Sequence, residues 1–169
     1  MVIEPTLVSD LEAIFQLYEE AILYQKKYGN NHWLGFSEEM VKKEIEENRH
    51  FKVLNDQLLI GTFVYTLSDR LIWKAANDIP AIYIHRIATS PEARGNNLVG
   101  HIVNWAKIFA REKNLQFIRM DTGSGNDRLI GHYIKCGFTF LGDTTVDYTP
   151  DLPLHYQNGK FALLELPVS

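Results

Sequence analysis

Tyr83-Ile-His-Arg-Ile-Ala-Thr-Ser-Pro-Glu-Ala-Arg-Gly-Asn-Asn-Leu-Val-Gly100 is the stretch on which the reading of this chain turns. It begins as a β-branched and aromatic strand over residues 81–89, passes through a short polar turn, and opens an amphipathic helix. Leu98, Val99, Ile102, Val103, Ala106, Phe109 and Ala110 recur at helical spacing. A strand-to-helix junction of this kind directs several backbone N–H groups and the positive end of a helix dipole into one small space, which suits a phosphate. Arg94 and Gly95 add a charge and a flexible backbone at that point.

Downstream, residues 116–121 read as a strand and Thr122-Gly-Ser-Gly125 as a loop. Residues 127–135 form a short helix that stops at Gly137, a natural C-cap residue. Residues 138–141 and 161–166 are the last strands, and the long segment 143–160, with Pro150, Pro153, His155 and Tyr156, is placed as an active-site lip. Upstream, Ser9-Asp-Leu-Glu12 has the form of a capping box and opens a helix ending near Gly29. A polar link over residues 30–33 leads to a second helix with Ser37 as N-cap and Phe36 as a staple against Val41. Residues 51–54 and 58–67 are strands joined at Asn55-Asp56, and residues 68–80 are irregular, extending or bulging that hairpin. The order predicts an α/β fold of α+β type: one domain over residues 1–169, with a single mixed, mostly antiparallel sheet flanked by helices.

Composition bounds the function. At 169 residues, with 46% hydrophobic and 22% charged, the chain is that of a soluble globular domain. It has no apolar run long enough for a bilayer and no signal-peptide pattern, and the single Cys136 fits a reducing compartment, so a cytoplasmic protein is expected. The net charge of −4 argues against a nucleic-acid partner. Residues 1–60 carry 11 acidic and 6 basic residues, whereas residues 86–135 carry 8 basic and 4 acidic. That split favours an anionic cofactor on the basic side and a cationic acceptor on the acidic side; ordinary solvated surface charge explains the acidic half equally well. The histidines show no metal-ligand spacing, so no metal is expected.

Asn126-Asp-Arg-Leu-Ile-Gly-His-Tyr133-Ile-Lys-Cys-Gly137-Phe138 is the second informative segment. Together with residues 83–100 it resembles the acetyl-CoA-binding core of the GNAT acetyltransferase superfamily. In that family the loop follows Gln/Arg-x-x-Gly-x-Gly/Ala. Arg94 matches and Gly95 is typical at its place, while Asn97 and Val99 stand where Gly and Gly or Ala are expected. Asn tolerates positive φ, so Asn97 is expected to keep the loop shape. Asn126, Tyr133, Gly137 and Phe138 fall on the family's second register without a gap, and Lys135 fits as well.

The resemblance implies acetyl-CoA as co-substrate. Arg94, Gly95, Asn96, Asn97, Leu98, Val99 and Gly100 would hold the pyrophosphate. Asn126 and Ile130 would touch the cofactor from the helix at residues 127–135. The strand would carry a bulge and splay from its neighbour, so that Ile87, Ala88 and Thr89 pair with the pantetheine arm and an N–H near Ile87 stabilises the oxyanion. Tyr133 would lie at the sulfur and protonate the departing thiolate, as a phenol can at neutral pH.

The amine must lose a proton before attack, and His85 and Asp121 are the candidates to accept it. Each has a structural alternative: a satisfied strand histidine, and a cap on the loop at 122–125. Trp33, Phe36, His155 and Tyr156 either wall the acceptor pocket or pack the core. Cys136, at a helix C-terminus where the dipole disfavours a thiolate, is not expected to act as a nucleophile.

Two further readings remain at this stage. One is a GNAT-like acyl-CoA-binding or sensing module without turnover, for which Val99 and the lack of a Glu on the central strand speak. The other is transfer of a larger acyl group, or transfer to an oxygen acceptor. The resemblance also allows a homodimer, and the identity of the amine is not written in the sequence.

Overall fold

The computed structural model describes residues 1–29 and 31–168. Its elements run β1 (Val2–Pro5), α1 (Leu11–Tyr28), α2 (Glu38–Glu46), β2 (His50–Asn55), β3 (Leu58–Thr66) and α3 (Arg70–Trp73). There follow β4 (Ala81–Thr89), α4 (Leu98–Glu112), β5 (Phe117–Gly123), α5 (Asp127–Lys135), β6 (Thr139–Thr145) and β7 (Lys160–Pro167). The strands form a seven-stranded mixed sheet in the order β1-β2-β3-β4-β5-β7-β6, as the order of elements in the sequence predicts. No helix among the described residues is long and apolar enough to cross a membrane.

Contacts gather into two compact units, residues 1–65 with 86–102, and residues 66–85 with 103–169. In the first, β1 pairs antiparallel with β2, and β2 with β3. Strand β1 escapes the sequence reading because four residues at a sheet edge are too few to show a period. The hairpin turn is Asp56-Gln57, one residue later than expected, with Asn55 paired to Leu58. Both turn residues have positive φ, the backbone that a two-residue hairpin needs to match strand twist.

The expected capping box at Ser9–Glu12 does not form. A 3-10 turn at Val8–Asp10 precedes α1, and Asp10 reaches back to accept the Leu7 N–H at 2.8 Å. It also receives Lys52 Nζ at 2.7 Å, an ion pair that competes for the same carboxylate. The α2 cap is as expected, with Ser37 accepting the Met40 N–H at 3.2 Å. In the link before it, Asn30 lies outside the described residues.

Ile14, Leu17, Tyr18, Ala21, Val41, Ile45 and Ala88 form the core of this unit, with Trp33 and Phe36 packed against it. Both aromatics pack on this core while keeping part of their surface open. Gly61 is required by close approach: a Cβ there would meet Leu98 Cδ1 at 2.6 Å and the Ala88 carbonyl oxygen at 2.9 Å.

In the second unit the segment 68–80 is built around helix, not an extension of the hairpin: α3, Arg70–Trp73, runs into a 3-10 turn at Lys74–Asp78. Buried Arg119 holds that turn by donating to the Ala76 carbonyl at 2.7 Å, to Tyr83 Oη at 2.9 Å and to Glu165 at 2.8 Å. No local pattern announces such a long-range anchor. Strands β4 and β5 are parallel, as the intervening helix requires. Their ladder in this unit consists of the pairs Ala81–Phe117, Ile82–Ile118 and Tyr83–Arg119, although β5 runs on to Gly123. Strand β7 lies between β5 and β6, antiparallel to both. β6 is longer than expected because its polar end still pairs with β7, past a register shift at Gly142, whose φ is +102°.

Helix α5 closes as predicted. The Gly137 N–H donates to the Ile134 carbonyl at 2.9 Å and the Phe138 N–H to the Tyr133 carbonyl at 3.2 Å. With Gly137 at φ +103° this is a complete Schellman cap.

Candidate active site

The loop after β4 belongs to the first unit. Pro91–Ala93 forms a 3-10 turn, Gly95 has φ +90° and Asn97 φ +54°, and α4 begins at Leu98. Asn97 thus adopts the left-handed conformation expected of it. Its side chain folds over Gly100, where a Cβ would lie 2.5 Å from Asn97 Nδ2. The amides of Arg94 and Asn96 donate within the turn, to Pro91 at 3.4 Å and Ala93 at 3.1 Å. Among the described residues, no backbone carbonyl takes the amides of Gly95, Asn97, Leu98, Val99 and Gly100, and the first helical bond is His101 N–H to Asn97 O. Unpaired donors at a helix start are the physical basis of anion binding. Arg94 is exposed, with its guanidinium carbon 4.0 Å from the centre of the Tyr24 ring on α1. The Val99 side chain is buried, so its branched Cβ belongs to packing.

Further back on β4, Arg86 has φ +54°, a left-handed residue inside a strand. A left-handed residue inside a strand is a local irregularity of the kind a bulge introduces. Ala88 is buried, while Ile87 and Thr89 are half-buried. Arg86 is held by a two-pronged pair to Glu44, at 2.9 and 2.8 Å, and lies over the Phe36 ring at 4.2 Å.

Tyr18 Oη accepts a longer contact from Arg86 at 3.4 Å and meets His50 Nε2 at 2.8 Å, while His50 Nδ1 meets Thr6 Oγ1 at 2.8 Å. Desolvation, helped by the Arg86 charge, pushes His50 down to about 3. It is therefore neutral when folded and charged when unfolded below its ordinary value. The unfolded state binds the extra proton, so this contribution to stability is lost as pH falls from about 6.5 toward 3. The stability advantage of wild type over His50→Gln should shrink by about 1.7 kcal/mol between pH 6.5 and 5, measured by urea unfolding. An advantage that stays constant over that range would refute a neutral buried His50.

The second unit gathers the titratable residues. Asp69, His85 and Asp121 each offer a ligand-type atom, and these atoms lie within 4.8 Å of one another. Both residues proposed from sequence as proton acceptors thus meet, together with Asp69, which the sequence reading missed. His85 Nε2 is 2.9 Å from Thr66 Oγ1 and 4.0 Å from Asp69 Oδ2. Tyr156 donates to Asp121 Oδ2 at 3.1 Å, tying the long segment before β7 to this cluster. Asp121 therefore does more than cap a loop. Burial pushes Asp121 up to about 6, against the pull of the Tyr156 hydroxyl. Burial and then the Asp121 charge push Asp69 up to about 7. The readable signal for Asp69 was its place immediately before a short helix, where Asp commonly sits.

Tyr133 lies on α5 beside buried Ile130 and is 8% exposed, with its ring 6.2 Å from that of Phe138. Burial, then the neighbouring Cys136 and Asp121, raise its hydroxyl well above the usual phenol range, so it stays protonated. Asn126 caps α5, its Oδ1 accepting the Leu129 N–H at 3.2 Å. Burial also raises the Cys136 thiol, which keeps it a poor nucleophile.

Comparison with known proteins gives the family and the fold. The model of the "Acetyltransferase (GNAT) family" matches residues 11–138. The chain is 24% identical over 152 residues to the "Uncharacterized N-acetyltransferase YesJ" of Bacillus subtilis (strain 168), covering 85% of this chain and 84% of that protein. Among solved structures, a GNAT-family acetyltransferase from Listeria monocytogenes 4b F2365 superposes with a TM-score of 0.76 at 22% identity, over 98% of this chain and 94% of that one. A putative acetyltransferase, yncA, from Salmonella typhimurium, solved with its cofactor acetyl-CoA, gives 0.68 at 13% identity, over 100% of this chain and 94% of that one. At these identities the solved structures speak for the fold.

Proposed function

Because this chain belongs to the acetyltransferase (GNAT) family, we propose that it is an acetyl-CoA-dependent N-acetyltransferase in which a bound primary amine attacks the thioester directly. One domain carries both units in this reading, since the family match over residues 11–138 runs through each. The observation that carries the proposal is the set of amides at Gly95 and at residues 97–100 that no backbone carbonyl among the described residues takes, beside the exposed Arg94. Those donors suit a pyrophosphate, and the Salmonella structure with acetyl-CoA supports that choice of ligand.

The roles divide by chemistry. The amides of residues 95 and 97–100 take the phosphate oxygens, with Arg94 as the charge beside them. The backbone of Ile87, Ala88 and Thr89 lines the pantetheine arm, and its N–H groups polarise the thioester carbonyl. A carboxylate of the acidic cluster takes the proton from the ammonium group. The neutral amine nitrogen then bonds to the carbonyl carbon, the carbon–sulfur bond breaks, and Tyr133 gives its proton to the leaving sulfur. The nitrogen sheds its remaining excess proton, which restores the phenol. Amide, free thiol and one released proton are the balance.

Incubation with acetyl-CoA and a panel of primary amines, following free thiol, should show amine-dependent release and an acetylated product by mass spectrometry. No release above hydrolysis with any amine refutes the proposal. Thermal stabilisation by CoA without turnover would establish the sensing module instead. Faster reaction with succinyl-CoA, longer acyl-CoA or an alcohol acceptor would redefine the groups transferred.

A further inference from the structure

We propose that Asp69 is the proton acceptor of the transfer reaction: its unpartnered Oδ2, beside His85 and Asp121, binds the ammonium group of the acceptor and takes its proton before attack. The inference rests on the acetyltransferase reading and adds to it a residue outside the family's motifs.

Elsewhere among the described residues, Glu44 and Arg119 show how charges of the interior are matched. Glu44 has Arg86 at 2.8 Å, and Arg119 has Glu165 at 2.8 Å. Asp69 is as buried as those, with its side chain 8% exposed, yet its Oδ2 has no hydrogen-bond partner and the cation-forming group beside it, His85 Nε2, stands 4.0 Å away. A buried carboxylate oxygen left without a donor costs stability, so a fold keeps one where a ligand supplies the donor. A primary ammonium group carries three such donors and one positive charge. Placed against Asp69 and Asp121 it would meet two carboxyl groups at once.

The scaffold fixes Asp69 rather than leaving it to choose its own geometry. Its backbone N–H donates to Asn77 Oδ1 at 2.6 Å, and Asn77 lies in the turn that Arg119 anchors through Ala76. The groups facing the carboxyl are His85 and Tyr83 from β4, Asp121 from β5, the Ile72 N–H from α3, and Tyr156 acting on Asp121. Arg119 bonds Tyr83 at 2.9 Å and so sits one group removed. Two carboxyl groups this close do not both ionise easily, and the Asp69 carboxyl is held near 7, where it can both accept a proton and lose it to water. The chemistry balances: the ammonium N–H bond breaks, an O–H bond forms on Asp69 Oδ2, and solvent takes that proton after product leaves.

The test compares wild type with Asp69→Asn, which keeps the shape and removes the base. Turnover is followed with acetyl-CoA and the best amine of the panel from pH 5.5 to 9.5, and CoA binding is followed by calorimetry. Wild-type kcat/KM should rise with pH through a limb near 7. Asp69→Asn should lose that limb and fall by ~10²–10³-fold at pH 7 with CoA affinity unchanged, recovering in part at high pH where the free amine exists.

A variant that keeps the limb and stays within about threefold of wild type overturns the proposal while the acetyltransferase reading stands. A wild type that releases no thiol with any amine overturns both. Should the variant fail to fold, carboxyl carbon NMR of aspartate-labelled wild type decides. A buried carboxyl titrating near 7 that shifts on adding the amine supports the assignment, and none titrating above 5 refutes it. Stoichiometric metal in active wild-type protein, absent from the variant, would make the cluster a metal site and also overturn it.

Discussion

Tyr133→Phe should lower kcat by ~10²–10⁴-fold while CoA binding stays intact. The two side chains differ by one hydroxyl, and the ring contacts with Phe138 and His132 survive the change. What is lost is a proton held at a buried site, where desolvation keeps the phenol neutral across the working range. The same loss of solvation raises the proton affinity of a departing thiolate, so donor and acceptor are shifted in the same direction. Thiol release measured at saturating substrate, with CoA affinity by calorimetry, separates chemistry from binding. An unchanged kcat would remove Tyr133 from the mechanism and leave the thiolate to depart unprotonated.

Glu44→Gln should have the largest effect on stability, about 3–5 kcal/mol, because it leaves the Arg86 guanidinium buried without a counter-charge. For a chain of this size that corresponds to a fall in Tm of roughly 6–20 °C. The loss is compounded by the backbone, since Arg86 sits at φ +54° and the Glu44 pair helps to hold it there. A double variant, Glu44→Leu with Arg86→Gly, should recover much of the stability, because no charge is then buried and glycine accepts positive φ. Urea unfolding of the variants checks both statements. A Glu44→Gln protein within about 1 kcal/mol of wild type would mean that solvent reaches Arg86.

Much of the scaffold was legible because it is written in local signals. Residues 81–89 and 98–110 were delimited by the change of hydrophobic period from 2 to 3.6, and the structure places β4 and α4 there. Ser37, Gly137 and Asn97 each fit one backbone task, and each is found performing it. The errors fall where a short element depends on a distant partner. β1 exists because β2 pairs with it, and α3 with its following turn is held by Arg119 from another strand. Asp10 serves the Leu7 N–H and Lys52, and the second of these partners comes from a distant strand.

The sequence by itself determined the succession of elements, the phosphate-suited turn at residues 94–100 and the family they resemble, since each depends on residues adjacent in the chain. Tertiary structure alone decided the rest. It buried Arg86 against Glu44, shut His50 away as a neutral ring, and brought Asp69 from a region read as irregular to within reach of His85 and Asp121. Proton affinity is set by solvent exclusion and by charges a few ångströms away, and neither quantity exists until strands far apart in sequence lie side by side.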